Sequence, residues 1–353
     1  MNYRKFVLTF LGMVLLITVG VGGSVAYLDP LFHYHKPRSE FYYPLKQQRY
    51  QNDGILRHFN YDAIITGTSM TENFKSTEFD SLFDVNSIKV SYSGGSFKEI
   101  NDAIKVAYKN GHQIKAVVRS LDTYKLNDSK DAMRTDLGSY PTYLYNDVLY
   151  DDVKYLLNID VFRKHCLPII KNKLKGREPG ITSFDEYSNW NKDYKFGKQS
   201  VLKKDIVFDM NKEQFRMLDS DYNLVKENIE HNVTNLAKKH PETTFYYFFP
   251  PYSVIYWGEL ITKGEYLKYI ESEKLAIELI LECPNIKLFS FNLRTEITTD
   301  LNNYKDLTHY GEWINSDILR YMKEEKGLLT KENYQEYLIK ERELYMNYPY
   351  DRI

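Results

Sequence analysis

The sequence predicts an α/β fold: a mostly parallel five-stranded sheet with helices on both faces, a three-layer αβα sandwich carrying a large helical insertion. Three observations predict it. Five short apolar runs, rich in β-branched and aromatic residues, are bounded by polar or turn residues. Helical periodicities separate several of them, the alternation that a parallel sheet needs. Small and hydroxylated residues follow the strands, where ligands of an open parallel sheet bind.

The chain opens on a segment without charge, Phe6 to Leu28, long enough for a helix across the hydrocarbon core of a bilayer. Arg4 and Lys5 precede it, as expected of a short cytoplasmic tail at 1–5. A cleaved signal peptide is the alternative, with Ser24-Val25-Ala26 as the cleavage region, but the run exceeds the usual apolar length. A retained anchor at 6–28, in contact with the lipid bilayer, places everything after Asp29 outside the cytoplasm. A neck at 29–60 follows, its first part, Asp29 to Pro44, rich in aromatics, histidine and proline. In an extended segment His33 and His35 share one side, but no carboxylate or cysteine cluster accompanies them, so the neck reads as stiff and amphipathic at the membrane surface.

The strands are expected at Asp62–Thr66, Ile88–Tyr92, Ile114–Leu121, Thr243–Phe249 and Ile286–Phe291. After the second, Phe97, Ile100, Ile104 and Ala107 recur at helical spacing behind a Ser96/Glu99 capping box. Leu224, Val225, Ile229, Val233 and Leu236 mark another helix, and Tyr266–Leu281 a third. About 120 residues separate the third strand from the fourth, far beyond a simple crossover. The interval, an insertion at about 125–240, holds a helical stretch at Asp147–Gly176 and an aromatic, polar segment at Thr182–Gly197. The main domain thus spans 61–325, and 326–353 reads as a polar surface helix with a tail. Internal repeats and low-complexity tracts are absent from the sequence.

Composition narrows function little. A net charge of −1 gives no electrostatic reason for nucleic-acid binding. The 32 tyrosines suit core packing, and exposed ones would suit sugar rings. Cys166 and Cys283 read as free thiols. The Asn232-Val233-Thr234 sequon lies in a predicted helix and reads as structural, and no cofactor or metal motif is present.

Chemistry gathers at the strand ends. Gly67-Thr68-Ser69 follows the first strand, Ser93-Gly94-Gly95-Ser96 the second, and Asp306-Leu307-Thr308-His309 lies beyond the fifth. Acyl transfer asks for these parts. A serine hydroxyl needs a histidine to take its proton, and the histidine a carboxylate to fix its tautomer. The developing oxyanion needs backbone N–H donors, which Ser69 and the Gly94-Gly95 turn could supply. Ser69 has a structural reading too, because Ser69 and Glu72 match a capping box. Asp306 could likewise cap the helix entered at Gly311.

This order, G-x-S after the first strand, glycine after the second and D-x-x-H near the C-terminus, resembles the SGNH (GDSL-type) hydrolase superfamily over roughly 61–320. The anchor followed by DPLFHYHKP resembles its membrane-anchored members that acylate bacterial surface polysaccharides or teichoic acids. The resemblance implies a flavodoxin-like fold, with Ser69 as nucleophile, His309 as general base and Asp306 as its orienting partner. It implies an oxyanion hole of Ser69 with Gly94 or Gly95, a membrane-embedded acyl donor protein and a cell-surface glycopolymer as acceptor. The sequence departs from the family pattern in two places. Thr68 replaces the aspartate of GDS, and RSLDTY offers Asp122 where the family's asparagine donates to the oxyanion. An ionised aspartate cannot donate, so another group serves, the hole has two donors, or catalysis is weak. Thr68, Asp122, Tyr252, Trp190 and Tyr194 are the further substrate-binding candidates.

Overall fold

The computed structural model describes residues 3–136, 138, 140–202 and 206–353, in two compact units. One comprises the described residues of Met1–Asn60 with those of Thr135–Ser183, and the other those of Tyr61–Arg134 with those of Phe184–Ile353.

The first unit begins with a helix at Tyr3–Leu28, whose mean hydropathy reaches 2.3 over an 18-residue window with none of that window buried. It is long and apolar enough to span a membrane or to act as a signal anchor. Only Val25 and Leu28 of this helix are buried. The segment after it is bent back around a carboxylate rather than extended. The fully buried Asp29 carboxylate accepts from the backbone N–H groups of His33, Tyr34 and His35 (2.7–2.9 Å) and from the Tyr155 hydroxyl (2.8 Å). Each bond to the charged acceptor offsets part of the cost of burying it. His33 Nε2 and the Tyr34 hydroxyl meet Asp152 at 3.1 and 2.9 Å. The expected helical stretch at 147–176 is broken into pieces. The Asn158 side chain accepts from the N–H groups of Asp160 and Val161, restarting the helix there, and a π-turn at Phe162–Cys166 leads into Leu167–Leu174.

The second unit is α/β. Its sheet has six strands rather than the expected five: β1 (Ala63–Gly67), β2 (Ser87–Ser91), β3 (Ala116–Ser120), β4 (Thr244–Phe249), β5 (Ile286–Ser290) and β6 (Leu328–Leu329). Their order is β2-β1-β3-β4-β5-β6, largely parallel, with β6 antiparallel to β5. Strands β1, β2 and β3 are buried along their whole length, so the Lys89 and Arg119 set among their apolar residues are buried too. The Ser96/Glu99 capping box is present and opens the helix Phe97–Lys109. The sequon asparagine, Asn232, is fully buried and donates to the Lys130 carbonyl at 2.9 Å, consistent with a structural reading. Cys166 and Cys283 are free and buried.

The C-terminal helix, Tyr334–Met346, exposes Gln335, Glu336, Ile339, Lys340, Arg342 and Glu343 but buries one face. Its Glu341 and Tyr345 are fully buried. Asn292 Nδ2 donates to Glu341 Oε1 at 2.7 Å, and the Tyr337 hydroxyl to Glu273 Oε1 at 3.3 Å. Burial raises the pKa of both carboxyl groups, Glu341 to about 7, and the charge of Glu341 raises that of Glu273 further. A raised folded-state pKa means that the native state holds protons the unfolded chain releases. Stability is therefore full below about pH 4.5 and declines as pH climbs through about 7. Glu341→Gln should flatten this decline and raise the melting temperature at pH 8 by about 2–4 °C, read by thermal unfolding at pH 5 and 8. A wild-type melting temperature that does not fall between those pH values would refute it.

Candidate active site

Gly67 ends β1 at φ +143°, and a Cβ there would lie 2.4 Å from Ser120 Oγ, so glycine lets the chain turn beneath β3. The next residues form a 3₁₀ turn at Ser69–Thr71. Thr68, not Ser69, caps it: Thr68 Oγ1 accepts from the Met70 N–H at 3.3 Å. The expected Ser69/Glu72 capping box is therefore replaced, and the Ser69 hydroxyl lies 2.8 Å from His309 Nε2. Thr71 Oγ1 donates to the Thr68 carbonyl (2.9 Å) and lies 2.8 Å from Ser91 Oγ, while Asn315 Nδ2 donates to the Met70 carbonyl (3.0 Å). Four polar side chains thus fix the turn that carries Ser69.

His309 Nδ1 lies 2.9 and 3.0 Å from the two Asp306 oxygens. Asp306 Oδ1 also accepts from the backbone N–H groups of Thr308 (3.0 Å) and His309 (2.9 Å). It does not cap the helix at Glu312–Lys323, whose N-cap is Gly311. Burial alone would raise the Asp306 pKa, but the His309 hydrogen bond and charge, with the two backbone N–H groups, hold it well below the usual carboxylate range. An ionised Asp306 accepts a hydrogen bond from the protonated Nδ1 and so leaves Nε2 as an acceptor toward the Ser69 hydroxyl. The segment is closed by a bridge between Tyr304 and Tyr310 and is tied to the end of β4. The Leu307 carbonyl accepts from Ser253 N (3.2 Å) and Oγ (2.7 Å), and the Tyr304 hydroxyl donates to the Pro251 carbonyl (2.7 Å).

The glycine turn after β2 stands beside the Ser69 turn because Gly67 and Ser91 are in register on neighbouring strands. Gly94 has φ +58°. A Cβ there would meet the Arg134 guanidinium at 2.4 Å, and Arg134 Nη1 donates to the Ser93 carbonyl at 2.5 Å. The Gly95 N–H is committed to the Tyr92 carbonyl (2.7 Å), which leaves Gly94 as the oxyanion-hole candidate of the two.

Thr68, Asp122 and Tyr252 come together, but all three are fully buried. Asp122 accepts from Thr68 Oγ1 (2.9 Å), Ser120 Oγ (3.1 Å) and the Tyr252 hydroxyl (2.8 Å). These residues therefore support the Ser69 turn from below and offer no surface to a substrate. Burial raises the Asp122 pKa, against those three hydroxyls and the charge of His309. Trp190 and Tyr194 reach the site. The Trp190 ring stands edge-to-face with His309 at 5.6 Å, and the Lys305 ammonium lies 3.8 and 3.6 Å from the Trp190 and Tyr194 ring centroids.

Sequence reasoning missed the supporting residues Thr71, Ser91, Ser120 and Asn315, as well as Arg134 and Lys305. It also missed Lys89, central in β2. Its ammonium is buried and donates to the carbonyls of Glu72 (2.5 Å) and Phe74 (2.8 Å), just past the Ser69 turn. Burial pushes its pKa down to about 7. A lone lysine inside the apolar run IKVSY was the available signal, since an unpaired polar group is rarely placed there.

No family model matches the chain, and no curated protein matches it. Among solved structures, one similar chain is a Streptococcus pneumonia protein provisionally named a platelet activating factor. It is 9% identical with a TM-score of 0.42, over 79% of this chain and 91% of that one. A likeness so remote does not say what this chain does.

Proposed function

We propose that this protein is a membrane-anchored serine O-acyltransferase or esterase of the SGNH type, built on a three-layer αβα sandwich and facing outward from the cell. One observation carries the reading: an unbroken hydrogen-bond chain from Ser69 Oγ through His309 to an ionised Asp306. In this mechanism His309 Nε2 takes the hydroxyl proton as Ser69 Oγ attacks the acyl carbonyl carbon. The N–H groups of Ser69 and Gly94 donate to the tetrahedral oxyanion. The intermediate collapses to an acyl-Ser69 ester, and the leaving alcohol or thiol departs with the proton from His309. An acceptor hydroxyl then gives its proton to His309 and attacks the acyl carbon; the acyl–Oγ bond breaks, and His309 returns the proton to Ser69 Oγ, which restores the enzyme. Water in the acceptor's place gives hydrolysis. The apolar Tyr3–Leu28 helix suits a donor held by a membrane-embedded protein and a cell-surface glycopolymer as acceptor.

The test is labelling with a fluorophosphonate. Wild type should carry one label on Ser69, and Ser69→Ala none, at equal thermal stability. Equal labelling of both, or no label on folded wild type, would overturn the reading. Release of acetate from a model ester, with and without a sugar acceptor, then separates transfer from hydrolysis.

A further inference from the structure

In the unit formed by 1–60 and 135–183, a short stretch outside the Tyr3–Leu28 helix exposes an unusual density of apolar side chains. Leu149 and Tyr150 are 81% and 85% exposed, and Val148, Val153 and Leu157 are exposed beside them in sequence. Five such residues within ten positions are not the scattered apolar exposure of an ordinary surface. Their position relative to the apolar helix gives a reason. A Cβ built on Gly22 would lie 3.2 Å from a Leu157 methyl and 3.8 Å from the Leu156 carbonyl, so glycine lets this stretch lie against the helix flank.

Gly22 also reports depth. Lys5 is the last charge before the apolar run, and about 20 residues at ~1.5 Å each cover a hydrocarbon core of ~30 Å. That core then extends from Phe6 to Val25, and Gly22 lies about 4–5 Å inside its outer edge. The side chains next to that edge agree. Tyr27 carries the Arg38 guanidinium over its ring at 4.0 Å and donates its hydroxyl to Glu40 at 3.1 Å. An aromatic ring grouped with arginine is the chemistry of the headgroup level. The exposed Lys154, within the apolar stretch, has a stem long enough to lift its ammonium to the same level.

We propose that Val148–Leu157 is a second membrane contact, seated in the outer-leaflet interface beside the helix, with the lipid bilayer as its partner. The proposal rests on reading Tyr3–Leu28 as a bilayer-spanning helix. The surrounding unit is then held against the bilayer at two places instead of hanging from one.

The experiment uses the full chain in vesicles of phosphatidylcholine and phosphatidylglycerol. It compares three single-site probes: Tyr150→Cys, Leu16→Cys within the helix, and Lys195→Cys as an exposed control, each bearing an environment-sensitive fluorophore. At position 150 the fluorophore should be quenched by lipid carrying a nitroxide near its headgroup, and iodide should quench it severalfold less than at position 195. Iodide quenching at 150 equal to that at 195 overturns the contact, leaving the stretch open for a protein partner. Shielding from both quenchers also overturns it and assigns the stretch to a second copy of the chain. A Leu16 probe that deep-labelled lipid does not quench removes the helix reading, and the proposal with it.

Discussion

Replacing His309 by alanine is expected to slow fluorophosphonate labelling of Ser69, and turnover of a model ester, by roughly 10³- to 10⁶-fold. Without the imidazole the Ser69 hydroxyl has no group within hydrogen-bond reach to take its proton, and an un-ionised hydroxyl is a poor nucleophile. The loss should appear in kcat, because proton transfer belongs to the transition state rather than to binding. His309 is part-exposed and bonds only within the site and its own loop, so the melting temperature should move little. Asp306→Asn tests the next link, since an amide cannot impose the required tautomer. The held-down pKa of Asp306 gives its sign. A carboxylate with a depressed pKa stays ionised at all pH values above its ordinary range and loses its contribution only below about 3.8. Any fall in activity between pH 8 and pH 5 therefore belongs to another group. A His309→Ala protein that labels within a factor of ten of wild type would end the proposed mechanism.

The second large effect is expected at Asp122. Alanine there leaves the hydroxyls of Thr68, Ser120 and Tyr252 without their shared acceptor in a site closed to water, at a cost of roughly 2–4 kcal/mol. Function should suffer beyond this. Thr68 Oγ1 donates to Asp122 and accepts from Met70 N, so losing the carboxylate loosens the cap that sets the Ser69 turn. Asp122→Asn keeps the volume and one acceptor oxygen and should fall between wild type and alanine. Urea denaturation gives the stability difference, and the labelling rate of the folded fraction gives the functional one. An alanine variant within about 0.5 kcal/mol of wild type would show that the cluster does not hold the turn.

The three residues joined in one hydrogen-bond chain were legible in the sequence, and their supports were not. Ser69, Asp306 and His309 could be found because residues of distinctive chemistry follow strands whose apolar runs are unmistakable. Those strands lie within two residues of their expected bounds. The helix cap was misread because Thr68 and Ser69 are adjacent and chemically alike, and only the turn's backbone decides which hydroxyl faces inward. Asp122 presented a related difficulty. Its position matched a place where an oxyanion donor is expected, but its partners come from the turn after β1, the end of β3 and the loop after β4, which no local pattern joins. The sixth strand has two residues, too few for an alternation to register. The final helix looked polar because Glu341 counts as surface in any composition, whereas Asn292 and Glu273, roughly 50 and 70 residues earlier, give it a buried setting.

The anchoring of the 304–310 bridge has a mechanical consequence. Asp306 and His309 share one short loop, are joined by both backbone and side-chain bonds, and are fastened to the segment after β4 through Leu307 and Tyr304. They therefore shift together, as a cassette, while Ser69 sits on a separately pinned turn. Thermal motion, strain from a bulky acyl group or a distant substitution would all register in one coordinate, the gap between Ser69 Oγ and His309 Nε2. The imidazole would keep its tautomer and its orientation throughout. In the proposed mechanism the base would not be lost by degrees of misalignment: a single contact would open and close, and the active fraction would be the fraction in which it is made.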